Sequence, residues 1–174
     1  MENRVSFEEI KQAFLERDRR MRETDRKLAE VGRQIGGLGN RLGEFVEGVV
    51  RPGLVRLFRE RGIEVHQTLR DLEAKRDGEA AQIDLLVVNE DHAVVIEVKS
   101  KLETGDIDEH VERIGMFKRL FPQYRDTRLL GAVAAMVVPD DAARRAEKRG
   151  LFVVGQAGDD AVFLNSEGFE PRAW

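Results

Sequence analysis

Cysteine is absent from the sequence, which excludes disulfide bonds and thiolate metal sites. Long apolar runs are also absent, and none approaches the roughly 20 residues that a membrane-spanning helix needs. The first 25 residues are charged rather than apolar, so we expect no secretory signal and a cytoplasmic protein. One tryptophan and one tyrosine offer too little aromatic surface for stacking the bases of a single strand.

An excess of basic charge is lacking too, because the net charge of the 174 residues is −4. We therefore expect no overall electrostatic attraction to nucleic acid, and DNA binding would depend on metal ions and a local basic patch. Charged residues make up 36% of the chain, above the usual quarter, which indicates a long solvated helix. The hydrophobic share of 41% is enough for the core of one moderate domain.

A heptad repeat occupies residues 5–50. All seven a positions are apolar, and so are four of the six d positions, with Arg17 and Thr24 as the exceptions. A period of 3.5 over this length predicts a coiled coil, although a helix packed on its own domain is the alternative. Mostly polar flanks favour self-association, and we expect a dimer first, with a trimer or tetramer still open. The a positions are Phe7, Phe14, Met21, Leu28, Ile35, Leu42 and Val49.

The ends of this helix also have signals. Ser6 and Glu9 form a predicted capping box at its start, and a run of glycines from Gly32 to Gly39 predicts a hinge or a change of packing. We therefore expect residues 1–39 to be a coiled-coil oligomerisation helix and residues 40–174 to be a globular domain.

Two apolar, β-branched runs, Ile83–Val88 and Ala93–Val98, lie on either side of a short polar cluster. They predict two antiparallel strands joined by a tight hairpin, both central in a sheet because both are apolar on each face. If Asn89 pairs with His92, each step back along the first strand is matched by one step forward along the second. Five steps from the turn, Asp84 therefore lies opposite Glu97.

Three charged residues then share one face of an otherwise apolar hairpin, since Lys99 lies two residues beyond Glu97. Opposed carboxylates with Cβ atoms about 4.5–5.5 Å apart repel unless a proton or a cation lies between them. Mg²⁺ prefers such oxygen ligands, and a water that it acidifies near Lys99 would be a nucleophile for a phosphodiester.

The segments Ile83-Asp84-Leu85 and Ile96-Glu97-Val98-Lys99 resemble the D…(D/E)XK signature of the PD-(D/E)XK nuclease superfamily, in particular its Holliday-junction-resolvase-like branch. A coiled coil followed by such a domain is similar to uncharacterised bacterial proteins of that superfamily. The resemblance covers about residues 43–174. It implies an α/β, restriction-endonuclease-like fold: a mixed β-sheet flanked by helices, preceded here by the long N-terminal coiled-coil helix.

The resemblance also implies roles for particular residues. Asp84, Glu97 and the backbone carbonyl of Val98 would hold Mg²⁺ or Mn²⁺, and Lys99 would orient the attacking water or stabilise charge on the phosphate. The first helix of the domain often supplies a further acid, for which Glu47 is the candidate, with Glu44 as the second choice. A plain surface position is the alternative for both glutamates.

This sequence departs from the superfamily pattern at two positions. Ile83 stands where a proline is frequent, and Gln82 stands where many relatives have an acid, so one metal-binding carboxylate is missing. Lys75, Arg76 and Lys101 are the candidates for contact with DNA, with plain solvation as the alternative.

The remaining segments predict the rest of the fold. The pattern of helix, strand, hairpin, helix and strand is that of a mixed α/β sheet. Helices are expected at Asn40–Arg61, Asp106–Phe121 and 140–149, strands at Ile63–Leu69, Leu129–Val138, Leu151–Val154 and Ala161–Leu164, and a loop at Leu72–Ala81.

Three functions fit these observations. The first is a metal-dependent DNA nuclease, acting as an endonuclease or an exonuclease. The second is an inactive nuclease-like scaffold that binds DNA or a protein partner through the oligomer, which Gln82 favours. The third is a structural coiled-coil adaptor with a globular end.

The heptad generates the first prediction. Deleting residues 1–36 should reduce the size of the oligomer without unfolding the remainder, because the predicted α/β pattern begins later. Light scattering of the full-length and shortened chains measures the change. A full-length chain that is already monomeric would contradict the prediction.

Overall fold

A computed structural model describes residues 7–174, except for the side chains at positions 7–10, 13–15, 18, 33, 35, 36, 38–40 and 47. The chain divides into two compact units, Met1–Arg41 and Leu42–Trp174. No helix within the described residues is long and apolar enough to cross a bilayer.

The N-terminal helix α1 (Phe7–Phe45) is a single α-helix of 39 residues. It continues without a break through the run of glycines where a hinge was expected. Met21, Leu28 and Val31, which are a or d positions of the heptad, are between 49% and 64% exposed. The coiled coil stays a prediction, and Ser6 of the expected capping box lies outside the described residues.

The helix predicted at Asn40–Arg61 is formed by three consecutive segments. The end of α1 passes into a π-helical stretch, Val46–Val50, which leads into α2 (Arg51–Glu60). Pro52 lies in the first turn of α2, and its ring would clash with the carbonyl four residues earlier in a regular α-helix, so the wider π turn relieves that clash. Gly62, with a φ of 75°, follows the end of α2 as expected.

Six strands form one mixed sheet in chain order. The neighbours β3–β4 and β4–β5 are parallel, and the other pairs are antiparallel. The predicted mixed α/β sheet is confirmed, and both strands of the motif hairpin are interior strands. The strands are β1 (Gln67–Arg76), β2 (Glu79–Val88), β3 (His92–Lys101), β4 (Arg128–Val137), β5 (Phe152–Ala157) and β6 (Asp160–Phe163).

The prediction for the first strand was wrong. Ile63–Leu69 was expected to be the strand and Leu72–Ala81 a loop, whereas β1 begins later, at Gln67, and its second half together with the start of β2 occupies that loop segment. The charged residues of β1 are compatible with a strand because β1 is at the edge of the sheet, where one face and one backbone edge meet water. Asp77 and Gly78, both with positive φ, make the two-residue turn to β2.

Helices cover both faces of the sheet. On one face lie α3 (Thr104–Leu120) and α4 (Asp140–Lys148), and on the other lies α2. The α3 side buries Ile107, Ile114 and Phe117 completely or almost completely. On the α2 side, Phe58 packs edge-on against Phe152, with ring centroids 5.4 Å apart. This two-layer core holds the strands that carry the motif.

The approach of α2 to β6 generates the second prediction. A Cβ added at Gly53 would lie 2.4 Å from the Cβ of Ala161, so Gly53→Ala should destabilise the fold by about 1–3 kcal/mol through overpacking. A Cβ added at Gly115 in α3 would have open space around it, so Gly115→Ala should stabilise the fold by about 0.5–1 kcal/mol. Urea unfolding of both variants measures the difference, and equal effects would contradict this packing.

Candidate active site

The register of the motif hairpin is the one that the sequence predicts. Leu85 pairs with Ile96 and Val88 with Ala93, while the Asn89 N–H donates to the His92 carbonyl at 3.0 Å. The next step of this register lies at Asp84. There the Asp84 side chain accepts the Val98 N–H at 2.8 Å, so a carboxylate takes the place of a backbone partner.

Asp84 also marks an interruption on the other side of β2. Pairing of β1 with β2 skips one step, between Arg70↔Leu85 and Leu72↔Ile83, where Asp71 has a φ of 48°. Ile83 and Leu86 both pack in the layer under α3, which strict alternation would forbid. The side-chain alternation of β2 is therefore interrupted at the motif aspartate, with no residue inserted between β1 and β2.

Glu97 lies on β3 with only 5% of its side chain exposed, and both of its carboxylate oxygens contact cations. Oε1 lies 3.1 Å from the Lys99 Nζ, and Oε2 lies 2.7 Å from Nη2 of Arg113 on α3. An isolated buried carboxylate is strongly unfavourable, so these two contacts are what permit a charge in the apolar strand.

Lys99 joins the strand to the start of α3. Its Nζ also lies 3.3 Å from Oδ1 of Asp106, while the other Asp106 oxygen accepts the Glu103 N–H in a capping box. Burial opposes the charge on Lys99, but hydrogen bonds to Glu97 and Asp106 outweigh it and raise the pKa of the ammonium. Lys99 therefore stays protonated, with about a third of its side chain exposed.

His110 is the neutral member of the group. Burial above all, and then the nearby Arg113 charge, lower its pKa to about 4. Its Nε2 lies 3.3 Å from the Val95 carbonyl, and its Nδ1 lies 3.8 Å from Glu97, too far for a hydrogen bond. The compensation of Glu97 therefore comes from Arg113 and Lys99.

The carboxyl group of Asp84 differs from that of Glu97, because its negative charge is not fully compensated. Burial raises the pKa of Asp84; the Val98 N–H opposes this, and the Glu97 charge raises it further. Arg113 and Lys99 lower the pKa by smaller amounts. The net upward direction means that the ionised carboxylate is unfavourable here, chiefly because the group is partly buried.

The donor atoms are of the kind that a hard divalent cation prefers, since Asp84 and Glu97 both offer carboxylate oxygens. The described part of the chain has no cluster of three or more His, Cys, Asp or Glu side chains that could hold a metal ion. The Val98 peptide takes part through its N–H, and its carbonyl stays a predicted ligand. The Glu47 side chain lies outside the described residues, and Glu44 is exposed.

The three basic candidates for DNA contact lie at the same end of the sheet as the motif. Lys75 and Arg76 end β1, Lys101 ends β3, and all three are exposed. A surface groove of about 510 Å³ is lined by Lys75 and Gln82, among others. Only Arg76 among the three has an acidic neighbour in an ion-pair contact within the described residues, Asp77 at 3.6 Å.

Sequence reasoning missed Asp106, His110 and Arg113. The three lie on one side of α3 at spacings of four and three residues, so they point the same way. One signal was available, because His110 falls inside the apolar stripe of α3 where a polar residue needs a buried partner.

Comparison with known proteins gives the family but no activity. The chain belongs to the family of a domain of unknown function (DUF8196), whose model matches residues 53–162. Residues 5–75 also match a protein family of unknown function (DUF3782). A search of curated proteins finds no match.

Two solved structures show weak similarity. One is a repair endonuclease from Pyrococcus abyssi, with 17% identity and a TM-score of 0.39 over 59% of this chain and 44% of the other. The second is a protein of unknown function, AF1548, with 15% identity and a TM-score of 0.40 over 59% of this chain and 54% of the other. The chain thus spans about half the length of each.

The third prediction follows from Asp84. Because its pKa is raised on folding, the folded protein binds the proton more tightly, and stability is lost as pH rises above the unfolded pKa of about 3.9 towards the folded value. Asp84→Asn should therefore melt at a higher temperature than wild type at pH 7 in EDTA. The gap should close as pH falls below 4. Calorimetric scans across this pH range test it, and a less stable Asn variant at pH 7 would contradict it.

Proposed function

We propose that the unit Leu42–Trp174 is a metal-dependent DNA nuclease of the PD-(D/E)XK type. The observation that carries the proposal is the hairpin register, which brings Asp84, Glu97 and Lys99 to one end of two interior strands. Two carboxylates and an ammonium on an apolar hairpin have no evident structural need, because apolar residues would pack there at less cost.

Asp84 and Glu97 are the residues that would hold Mg²⁺ or Mn²⁺. A bound cation would acidify water and neutralise charge on the phosphate. The raised pKa of Asp84 supports this assignment, since the site favours an additional positive charge. The predicted carbonyl ligand, Val98, lies next to Glu97 on the same strand.

Lys99 would orient the nucleophilic water or stabilise charge on the phosphate. Its ammonium is charged, partly exposed and fixed between two carboxylates, Glu97 and Asp106. A rigidly held donor needs no reorganisation during the reaction, which is how such groups favour the transition state.

DNA is the proposed substrate, because exposed basic residues lie at the same end of the sheet as the site even though the whole chain is acidic. Lys75, Arg76 and Lys101 lie at the motif end of the sheet and would contact phosphates on either side of the scissile bond. Such contacts provide affinity without reading the sequence.

A second copy of the chain is the proposed partner, and α1 is its docking surface. The helix exposes Met21, Leu28 and Val31 along one seam. In a parallel pair, Arg20 of one copy would reach Asp25 of the other, whereas its contact within the helix is with Glu16 at 2.6 Å.

A non-cleaving scaffold remains the second candidate, and one observation favours it. Both oxygens of Glu97 already contact cations, which is how a retained but inactive carboxylate would be stabilised. In that case the same unit would bind DNA or a protein partner without hydrolysis.

The fourth prediction separates the two candidates. With Mg²⁺ or Mn²⁺, the wild-type chain should nick or degrade DNA, and Asp84→Ala should abolish this. Lys99→Arg should fold normally but lower kcat by about 100-fold or more, because a planar fork replaces a compact ammonium that acts in the transition state. Gel assays with plasmid, linear and branched DNA measure the rates.

Lys148→Arg is the matched control, since Lys148 ends α4 and is exposed. It should cleave like wild type. If Lys99→Arg also cleaves like wild type, Lys99 is only a counter-ion. If wild type cleaves no form of DNA with either metal, the scaffold replaces the nuclease.

A further inference from the structure

Arg113 reaches across from α3 to the most buried carboxylate of the sheet. Its Nη2 lies 2.7 Å from Oε2 of Glu97, and a quarter of its side chain is exposed. Within the described part of the chain, its Nε is buried without a hydrogen-bond partner. The guanidinium is therefore held by its charge on Glu97 and is incompletely hydrogen-bonded.

The charge of Arg113 also acts on Asp84, whose pKa it lowers. Arg113 thus lies within electrostatic reach of both carboxylates that would hold a cation. Like charges a few ångströms apart in a partly buried site repel each other more strongly than they would in water. A divalent cation and the Arg113 guanidinium therefore compete for the same negative charge.

Of the two cations on Glu97, Lys99 has more acidic contacts. It has a second carboxylate contact, to Asp106, and Asp106 is itself fixed by the cap of α3. For Arg113, Glu97 is the acidic contact that the described residues provide, so one ion pair holds its guanidinium where two hold the Lys99 ammonium. Of the two cations, Arg113 is thus the one that can move away from Glu97.

We propose that Arg113 is an exchangeable counter-ion of Glu97, which must give up this carboxylate before a divalent cation binds and which therefore sets the metal affinity. The inference rests on the proposed function, because it concerns the same two carboxylates. Without the cation, Arg113 keeps Glu97 compensated and the fold intact. With the cation, its charge is redundant, and the side chain turns to water.

The fifth prediction concerns binding rather than cleavage. Titration calorimetry with Mn²⁺ should show weak binding to wild type and binding about tenfold tighter or more to Arg113→Gln, within the usual 5–150-fold range of coupling between two ligands. Arg119→Gln is the matched control on the same helix, because Arg119 pairs with the exposed Glu79. The control should bind Mn²⁺ like wild type.

Thermal melts provide a second readout that needs no catalysis. In EDTA, Arg113→Gln should melt below wild type because Glu97 loses a partner, and Mn²⁺ should restore most of the loss. In a Glu97→Gln background the same substitution should change the melting temperature much less, since the buried charge is gone.

A structure of the wild-type protein with Mn²⁺ decides the question even if Arg113→Gln fails to fold. The proposal expects Arg113 to have left Glu97, and a metal on Asp84 and Glu97 with the 2.7 Å contact intact would overturn it. Equal Mn²⁺ affinity of wild type and Arg113→Gln would overturn the proposed exchange of Arg113 for the cation, but it would not contradict the metal site itself. Absence of Mn²⁺ binding by both would overturn the exchange and the proposed nuclease together.

Discussion

The buried carboxylate of Glu97 is the constraint on which the rest of the domain depends. It lies on an interior strand between two layers of apolar side chains, where a charge is stable only with partners at hand. One partner, Lys99, comes from the same strand, and the other, Arg113, comes from α3. The position of α3 is therefore fixed by charge as well as by its apolar stripe, and its cap is part of the same network through Asp106.

The residues that would best stabilise the fold at positions 84 and 97 differ from those that the proposed activity requires. A fold without a function would replace Asp84 and Glu97 by apolar residues, which pack at less cost than a compensated ion pair. Burial above all, and then the Glu97 charge, raise the pKa of Asp84, so the ionised form of this carboxyl is unfavourable in the fold. A bound cation would compensate this charge, so a group that costs stability is also the one that carries the proposed chemistry.

The hairpin and its charges could be predicted from the sequence because they depend on local rules. The side-chain period of a strand is two, so the turn at Asn89 fixed which residue would face Glu97. The partners on α3 could not be predicted in this way. The contact of Arg113 with Glu97 depends on how the helix docks on the sheet, which involves contacts distant in sequence and no repeat that reveals them.

The first strand was missed for a different reason. Edge strands carry polar and charged residues on the face and edge that meet water, so β1 has the composition of a loop. The better signal was the dipeptide Asp77-Gly78, which is typical of a hairpin turn and implies strands on both sides. Apolar content alone identifies interior strands, and turn chemistry is needed for those at the edge.

The interrupted alternation of β2 at Asp84 connects these two features. A regular pair of strands would use the Val98 N–H for a backbone bond, whereas here the Asp84 side chain accepts it and the β1–β2 pairing skips the step at Asp71. Aspartate tolerates positive φ better than most residues, so Asp71 can bend the edge strand where β2 changes face. One backbone pairing is thus given up to hold a carboxylate rigidly beside Glu97. That exchange is difficult to explain by stability alone, and it is expected where a carboxylate must be positioned for a ligand.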